Sequence, residues 1–397
     1  MPLKAIDRRT RNELFHTGIP LIATNFAGVL LTILLTTVFD QTRWLWIALL
    51  SVIVICSLCY FVRFLYLNSK VRYIAFVTSG VQGVTYYQLF FDFVVKEAAK
   101  HSHIGRYKYV VFPWVADIRK ARFQIASLRR INHSGIILVP EPNINFKEDL
   151  GDHGVPIVLI DATPDDLSTL SENVSVVGSD EAEGGRLVAA EVTQYLSKSY
   201  SYNGAGEHAP IVWVLLGQVF RFMEQRHTVF VNELRDKFPG AVVLQSHELF
   251  YSREAARRYI YDAVSIARRD LSSHSKGPTV RLPDVIFCAN DDMALGAREA
   301  LRQLQEEGVD LTVSKLQRCP RIIGYDGIPE VKNLLRKKNE EYLMATIDVK
   351  IENLAARTWA ALVSKLERTS VKVHEEKMQV IRLNWAIPSL FIPDSGQ

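Results

Sequence analysis

Cysteine is scarce in this chain. Its 397 residues include four, Cys56, Cys59, Cys288 and Cys319, too few and too scattered for a disulfide scaffold. Charge imbalance is also small. A formal net charge of +4 leaves no basic surplus of the kind that neutralises a nucleic-acid backbone, so no nucleic-acid partner is expected. No G-x-x-x-x-G-K-[ST], H-E-x-x-H or G-x-S-x-G occurs, and the ten His form no metal-spaced set with Cys. Those absences exclude the common phosphate-cradling, metalloprotease and serine-hydrolase chemistries. The glycine-bearing stretch SYNGAGEHAP (201–210) lacks the strand–loop–helix setting that holds phosphate. No catalytic residue, cofactor or metal is therefore expected. Low-complexity sequence is absent too, and 48% hydrophobic with 23% charged residues supports packed cores rather than disorder.

Apolar residues are concentrated at the start. Residues 19–39, IPLIATNFAGVLLTILLTTVF, and 44–62, WLWIALLSVIVICSLCYFV, carry no charge. As helices each is about 30 Å long, enough to cross a hydrocarbon core. Only residues 40–43 separate them, so the sequence predicts a two-helix membrane hairpin over 19–64 behind a tail of residues 1–18. A cleaved signal peptide is the rival reading, but its apolar part should run only about 7–15 residues. Trp44, Trp46, Tyr60 and Tyr66 sit where interfacial aromatics belong. Cys56 and Cys59 have C-x-x-C spacing but lie inside an apolar span, which reads as packing. Lys4, Arg8, Arg9 and Arg11 precede the hairpin, and Arg63, Lys70 and Arg72 follow it, while Arg43 in the connection is offset by Asp40. The positive-inside rule then places the tail and everything after residue 65 in the cytoplasm of a multi-pass membrane protein.

From about residue 72 the pattern changes. Strand-like runs at 73–77, 109–112, 136–139, 157–160, 211–216, 241–244, 285–288 and 321–325 alternate with helical stretches at 86–100, 118–131, 184–199, 252–270 and 292–308. Continuous apolar strands between helices imply an α/β fold with two parallel sheets, each covered on both faces. Such sheets bind ligands beyond the carboxyl ends of their strands. Those ends carry Asp161, Ser179-Asp180, Asn290-Asp291-Asp292 and Tyr325-Asp326-Gly327, with Tyr86 and Tyr87 after the first strand. Aromatic faces beside carboxylates and amides are the chemistry of holding a sugar or similar polar small molecule.

The stretches VIFCANDDMALGAREAL (285–301) and RIIGYDGIPE (321–330) resemble the type 1 periplasmic-binding-protein superfamily, which includes ribose-type sugar-binding proteins and the ligand domains of lactose-repressor-type regulators. SGIILVP (134–140), GVPIVLIDA (154–162), VVGSDEAEGGRLVA (176–189) and LMATIDVKIENLA (343–355) follow the same family order. The resemblance covers about residues 72–390. It implies two lobes joined by three crossings, the first of about 72–178 and 349–370, the second of about 179–348 and 371–390, closing on a ligand between them. It further implies that Tyr86, Tyr87, Asp161, Ser179, Arg226, Asn290 and Asp326 face the ligand, with Phe250 or Tyr251 as the second lobe's aromatic. Ala162 stands where sugar binders often place Arg, and Val349 where they often place Gln. The bland readings are helix packing for Tyr86 and Tyr87, a turn at Asp326-Gly327, and helix N-caps at Asn290-Asp291 and Asp180. With only about 18 residues before the first span, there is no room for a helix-turn-helix. A membrane-anchored sensor of a carbohydrate-like ligand is the leading expectation, with the bilayer and a second copy or another membrane protein as partners. A transporter's capture protein and a ligand-gated membrane effector are the alternatives.

Overall fold

The computed structural model describes residues 28, 43–68, 71–79, 84–104, 108–116, 133–140, 154–162, 170–200, 209–217, 221–246, 249–272, 282–313, 319–337, 340–370, 384–386 and 389–391. The chain divides into two units at Val71/Arg72.

In the first unit, helix α1 spans Arg43–Asn68. The first expected span, 19–39, lies outside the described residues apart from Gly28. The described side chains of α1 face outward. Leu49, Leu50, Val52, Ile53, Val54, Ile55, Leu58, Phe61 and Val62 are all exposed. Among the described residues no helix is long and apolar enough to cross a membrane.

The second unit holds two six-stranded sheets. The first contains β1 (Val71–Ser79), β2 (Lys108–Ala116), β3 (His133–Val139), β4 (Ile157–Ile160), β5 (Val174–Ser179) and β11 (Asn384–Ala386) in the order β11-β5-β4-β3-β1-β2. The second contains β6 (Ile211–Leu215), β7 (Val242–Ser246), β8 (Val285–Cys288), β9 (Arg321–Asp326), β10 (Leu343–Asp348) and β12 (Ser389–Phe391) in the order β12-β10-β9-β8-β6-β7. Every described pairing is parallel except β10 with β12. This is the bilobal α/β architecture expected, with one antiparallel edge strand added.

Burial explains the strand sequences. β4, β6 and β8 (IVLI, IVWVL and VIFC) are buried at every position, as strands covered on both faces must be. Helix α2 (Thr85–Ile104) follows β1, and α8 (Ile351–Ser370) packs on it and on the first sheet. In the second lobe α3 (Glu181–Leu196), α4 (Arg221–Lys237), α5 (Arg253–Ser272), α6 (Asp291–Glu306) and the short α7 (Pro329–Leu335) surround the sheet. The buried residues of α3, Gly184, Gly185, Val188, Ala189, Val192 and Leu196, fall on one face at helical spacing. The expected helix at 118–131 and most of the 199–210 loop lie outside the described residues.

The chain passes between lobes from β5 into α3, from β10 into α8, and between β11 and β12. The last crossing moves an expected boundary. The sequence expectation puts residues 371–390 whole in the second lobe, but Asn384, Trp385 and Ala386 pair with Val177, Gly178 and Ser179 of the first sheet. The division comes after β11 because a three-residue strand extends whichever sheet edge lies next to it.

Candidate functional site

The strand ends of both sheets face one cleft. It is lined by Val84, Tyr86, Tyr87, Asp161, Ser179, Glu181, Arg226, Tyr251, Asn290, Tyr325, Asp326 and Val349. All the residues singled out from the sequence are brought together there, and the choice between Phe250 and Tyr251 falls on Tyr251. Phe250 is 62% exposed, whereas Tyr251 is buried. The cleft's cavity volume is only about 20 Å³, room for about one water. A ring-sized ligand therefore enters when the lobes part.

Each side chain is placed by an element end. Tyr86 and Tyr87 occupy the first turn of α2, with ring centroids 4.8 Å apart in an edge-to-face arrangement. Asp161 follows β4, Ser179 ends β5 and Glu181 opens α3. Tyr251 precedes α5, Asn290 separates β8 from α6, and Tyr325 and Asp326 end β9. Three of these residues hold left-handed backbone, with φ of 50° at Asp161, 56° at Tyr251 and 111° at Asp326. Non-glycine residues seldom adopt positive φ, and such strain collects where structure serves a site. Two glycines make room for the tyrosines. A Cβ at Gly217 would lie 2.3 Å from Tyr251 Cε1, and one at Gly184 would lie 2.0 Å from the Tyr325 hydroxyl.

The lobes are latched shut beside the cleft. The Thr85 backbone N–H and hydroxyl, at the start of α2 in the first lobe, both donate to the Asp292 carboxylate of α6 in the second, each at 2.8 Å. Asp292 thereby satisfies an N–H that a helix start leaves open, and its charge suits the positive end of the helix.

Charge is unevenly matched. Arg226 Nε and Nη2 each lie 2.5 Å from the Glu181 carboxylate, Nη1 donates to the Ala289 carbonyl at 2.6 Å, and Arg226 Cζ sits 3.2 Å from the Tyr325 ring centre. The cleft's guanidinium is thus held by its own lobe. Asp161 takes a hydrogen bond from the Tyr87 hydroxyl at 3.3 Å on Oδ2, while its buried Oδ1 has no partner. The buried Tyr325 hydroxyl also has none at hydrogen-bonding distance. Burial, then the Glu181 charge, pushes Asp161 up to about 7 against the pull of Arg226 and Tyr87. Asp326 is raised well above the carboxylate range, by burial first and then by Asp291. Burial also raises Tyr86, Tyr87, Tyr251 and Tyr325, so their hydroxyls stay protonated as donors.

Two of the bland readings describe real bonds. Asp180 caps α3, accepting from Glu183 N at 2.9 Å. Asn290 Oδ1 caps α6, accepting from Met293 N at 2.9 Å, while its amide nitrogen faces the Tyr251 carbonyl at 3.4 Å. Asn290 therefore lines the cleft with its acceptor already used. Glu181 is a lining residue that the sequence reading does not single out, and Tyr325 enters that reading only as a strand-end aromatic. Gly184, whose Cβ would meet the Tyr325 hydroxyl, is the sequence signal of its close approach.

No protein-family model matches the chain. The "Putative rhizopine-binding protein" of Rhizobium meliloti is 24% identical over 190 residues, 47% of this chain and 54% of that protein. The chain thus spans about half the length of this curated relative. Among solved structures, a periplasmic solute-binding protein of an ABC transporter from Actinobacillus succinogenes with bound D-allose has a TM-score of 0.60 at 18% identity, over 81% of this chain and 97% of that one. The solute-binding protein of Bacillus halodurans with bound myo-inositol also has a TM-score of 0.60 at 18% identity, covering 81% and 94%. A Caulobacter myo-inositol-binding protein gives 0.58 at 20%, covering 80% and 93%. The second unit has the type 1 periplasmic-binding-protein fold, and these relatives are solute-binding proteins rather than enzymes.

Proposed function

We propose that this protein is a membrane-anchored receptor that closes its two lobes on a sugar-like polyol. The observation that carries the reading is the cleft itself. Tyrosine faces, tyrosine hydroxyls and the Asp161 and Asp326 carboxylates, all from strand or helix ends, line one space between two lobes. Tyrosine rings stack on the C–H faces of a sugar ring, and carboxylates accept from its hydroxyls. The similar solved structures hold D-allose and myo-inositol, ligands of this chemistry.

The anchor is the hairpin of residues 19–64. Its support is the two uncharged runs and the outward apolar side chains of α1, which water solvates poorly. The excess of Lys and Arg flanking the hairpin supports a cytoplasmic ligand domain and hence a sensing role. Two of the similar solved structures are solute-binding proteins of ABC transporters, which favours a second reading, a capture protein feeding a permease, with the domain on the outer face. A reporter fused after Gln397 that works only in the cytoplasm separates the two: activity supports sensing, and periplasmic protease access in intact cells overturns it.

Ligand binding is tested on the full chain in detergent by thermal shift against D-allose, myo-inositol, D-ribose and L-arabinose, followed by calorimetric titration. Asp326→Ala and Tyr86→Ala should each weaken binding roughly 10- to 100-fold. Unchanged affinity in both variants overturns the site.

A further inference from the structure

Among the described residues the cleft holds more carboxyl groups than cations to pair with them. Its lining has three carboxylates, Asp161, Glu181 and Asp326, and one guanidinium, Arg226. Arg226 is committed to Glu181, the Ala289 carbonyl and the Tyr325 ring. Among the described residues neither Asp161 nor Asp326 has an ion-pair partner, although 6% and 9% of their surfaces are exposed. Asp161 Oδ1 is buried with no hydrogen-bond partner at all.

A neutral polyol would hydrogen-bond these oxygens but bring no charge to offset them, so on closure the two carboxyls stay protonated or ionise at a cost, in line with their upward shifts. Among the described residues protein cations do not supply the balance, since the described lining includes no Lys or His and no second Arg. The walls suit a cation as well. Tyr86, Tyr87 and Tyr251 offer π-faces that attract an ammonium in a desolvated setting. The neighbouring acids are otherwise engaged. Asp291 accepts from Thr346 Oγ1 at 2.6 Å and Ile328 N at 2.8 Å, and Asp292 holds the latch to Thr85. The unpaired acceptors of the cleft are thus Asp161 and Asp326.

Resting on the polyol reading of this cleft, we infer that the ligand is a polyol bearing a protonated amine, an amino sugar or aminocyclitol, whose ammonium seats against Asp161 Oδ1 and the Asp326 carboxylate. The raised Asp161 fits this role, because the carboxyl ionises fully once a cation arrives beside it.

The test uses the full chain in detergent at about pH 7 and matched probe sets. These are D-glucose, D-glucosamine and N-acetyl-D-glucosamine, and myo-inositol, an inosamine and its N-acetyl derivative, titrated by calorimetry. In at least one set the amine should bind about tenfold or more tighter than its hydroxyl counterpart, with acetylation abolishing the gain. Asp161→Asn should reduce that preference below about threefold, read as the ratio of amine to neutral affinity within the variant. Asp326→Asn serves as the second variant if Asp161→Asn does not fold. Neutral members that bind as tightly as the amines, with affinity still dependent on Asp326, overturn the amine and leave the polyol site standing. An amine preference that survives both asparagine variants overturns the seat. Failure of every probe, together with failure of the neutral panel above, overturns the polyol reading and this inference with it.

Discussion

Replacing Asp161 with Asn should make the unliganded protein more stable, and by an amount that depends on pH. Asp161 is buried, with one 3.3 Å hydrogen bond on Oδ2 and none on Oδ1. Burial, followed by the Glu181 charge, lifts it from 3.8 to about 7, with Arg226, Tyr87 and Tyr86 opposing. In the unfolded chain the group ionises near its ordinary value of about 3.9. Below that pH both states are protonated and the carboxyl imposes no penalty. As pH rises from about 4 to about 7, the unfolded state releases its proton while the folded state keeps it, so stability falls; above about 7 the loss is complete. At 1.36 kcal/mol per pH unit over roughly three units, the loss approaches about 4 kcal/mol. An amide has the same shape and no charge to desolvate, and Asn is among the few residues that tolerate a φ near 50°. The Asn variant should therefore exceed the parent by about 2–4 kcal/mol at pH 8 and by less than about 1 kcal/mol at pH 4. Thermal unfolding of the full chain, followed through the buried Trp213 and Trp359, measures both. A gain equal at the two pH values, or a loss at pH 8, would refute the claim that a desolvated carboxylate is held in the cleft.

Arg226→Gln leaves Glu181 charged and buried without its partner, which should destabilise the domain by about 3–5 kcal/mol. Adding Glu181→Gln should recover most of that loss, and an unfolding curve that shows no recovery counts against the pair. Thr85→Val removes the hydroxyl from the interlobe latch and should weaken ligand binding about tenfold by disfavouring closure; an unaltered titration means that closure does not depend on this bond. Gly184→Ala places a methyl 2.0 Å from the Tyr325 hydroxyl and should cost about 1–3 kcal/mol as the ring leaves its stack on Arg226. Parent-like stability of that variant would show that the ring moves freely.

The central strands were legible because burial leaves a compositional mark. β4 at Ile157–Ile160 and β8 at Val285–Cys288 coincide with their apolar runs to the residue, since a strand covered on both faces has nowhere to place a polar group. The apolar run at 73–77 marks only the middle of β1, which extends over Val71–Ser79. Beyond that run Thr78 pairs with Val139 through the backbone, which hydrophobicity does not record. β11 and β12 are three residues each. Nothing within three residues specifies a sheet, and their partners, β5 and β10, lie far away in sequence.

The cleft was legible for a different reason. Strand ends in parallel sheets converge, so a polar residue just past an apolar run is a candidate wherever it occurs. That rule, joined to the family resemblance, reached Asp161, Ser179, Asn290 and Asp326. It could not reveal how each group is already employed. Glu181 reads as an acid in the first turn of a helix, favourable there in any case, and only the fold brings Arg226 onto it. Tyr325 reads as the apolar end of β9, and only the fold lays it across that same guanidinium. Asn290 fits both a cap and a contact, and the structure gives its oxygen to Met293 N. These three pairings settle the polarity of the cleft. The charged donor and one carboxylate cancel, the amide acceptor turns to its helix, and what is left lining the cleft is tyrosines with two carboxyl groups that have no ion-pair partner among the described residues. On the inference above, a cleft so arranged selects for ligands that bring positive charge and donors with them, a property that no residue shows singly and that depends on which side chains are already paired.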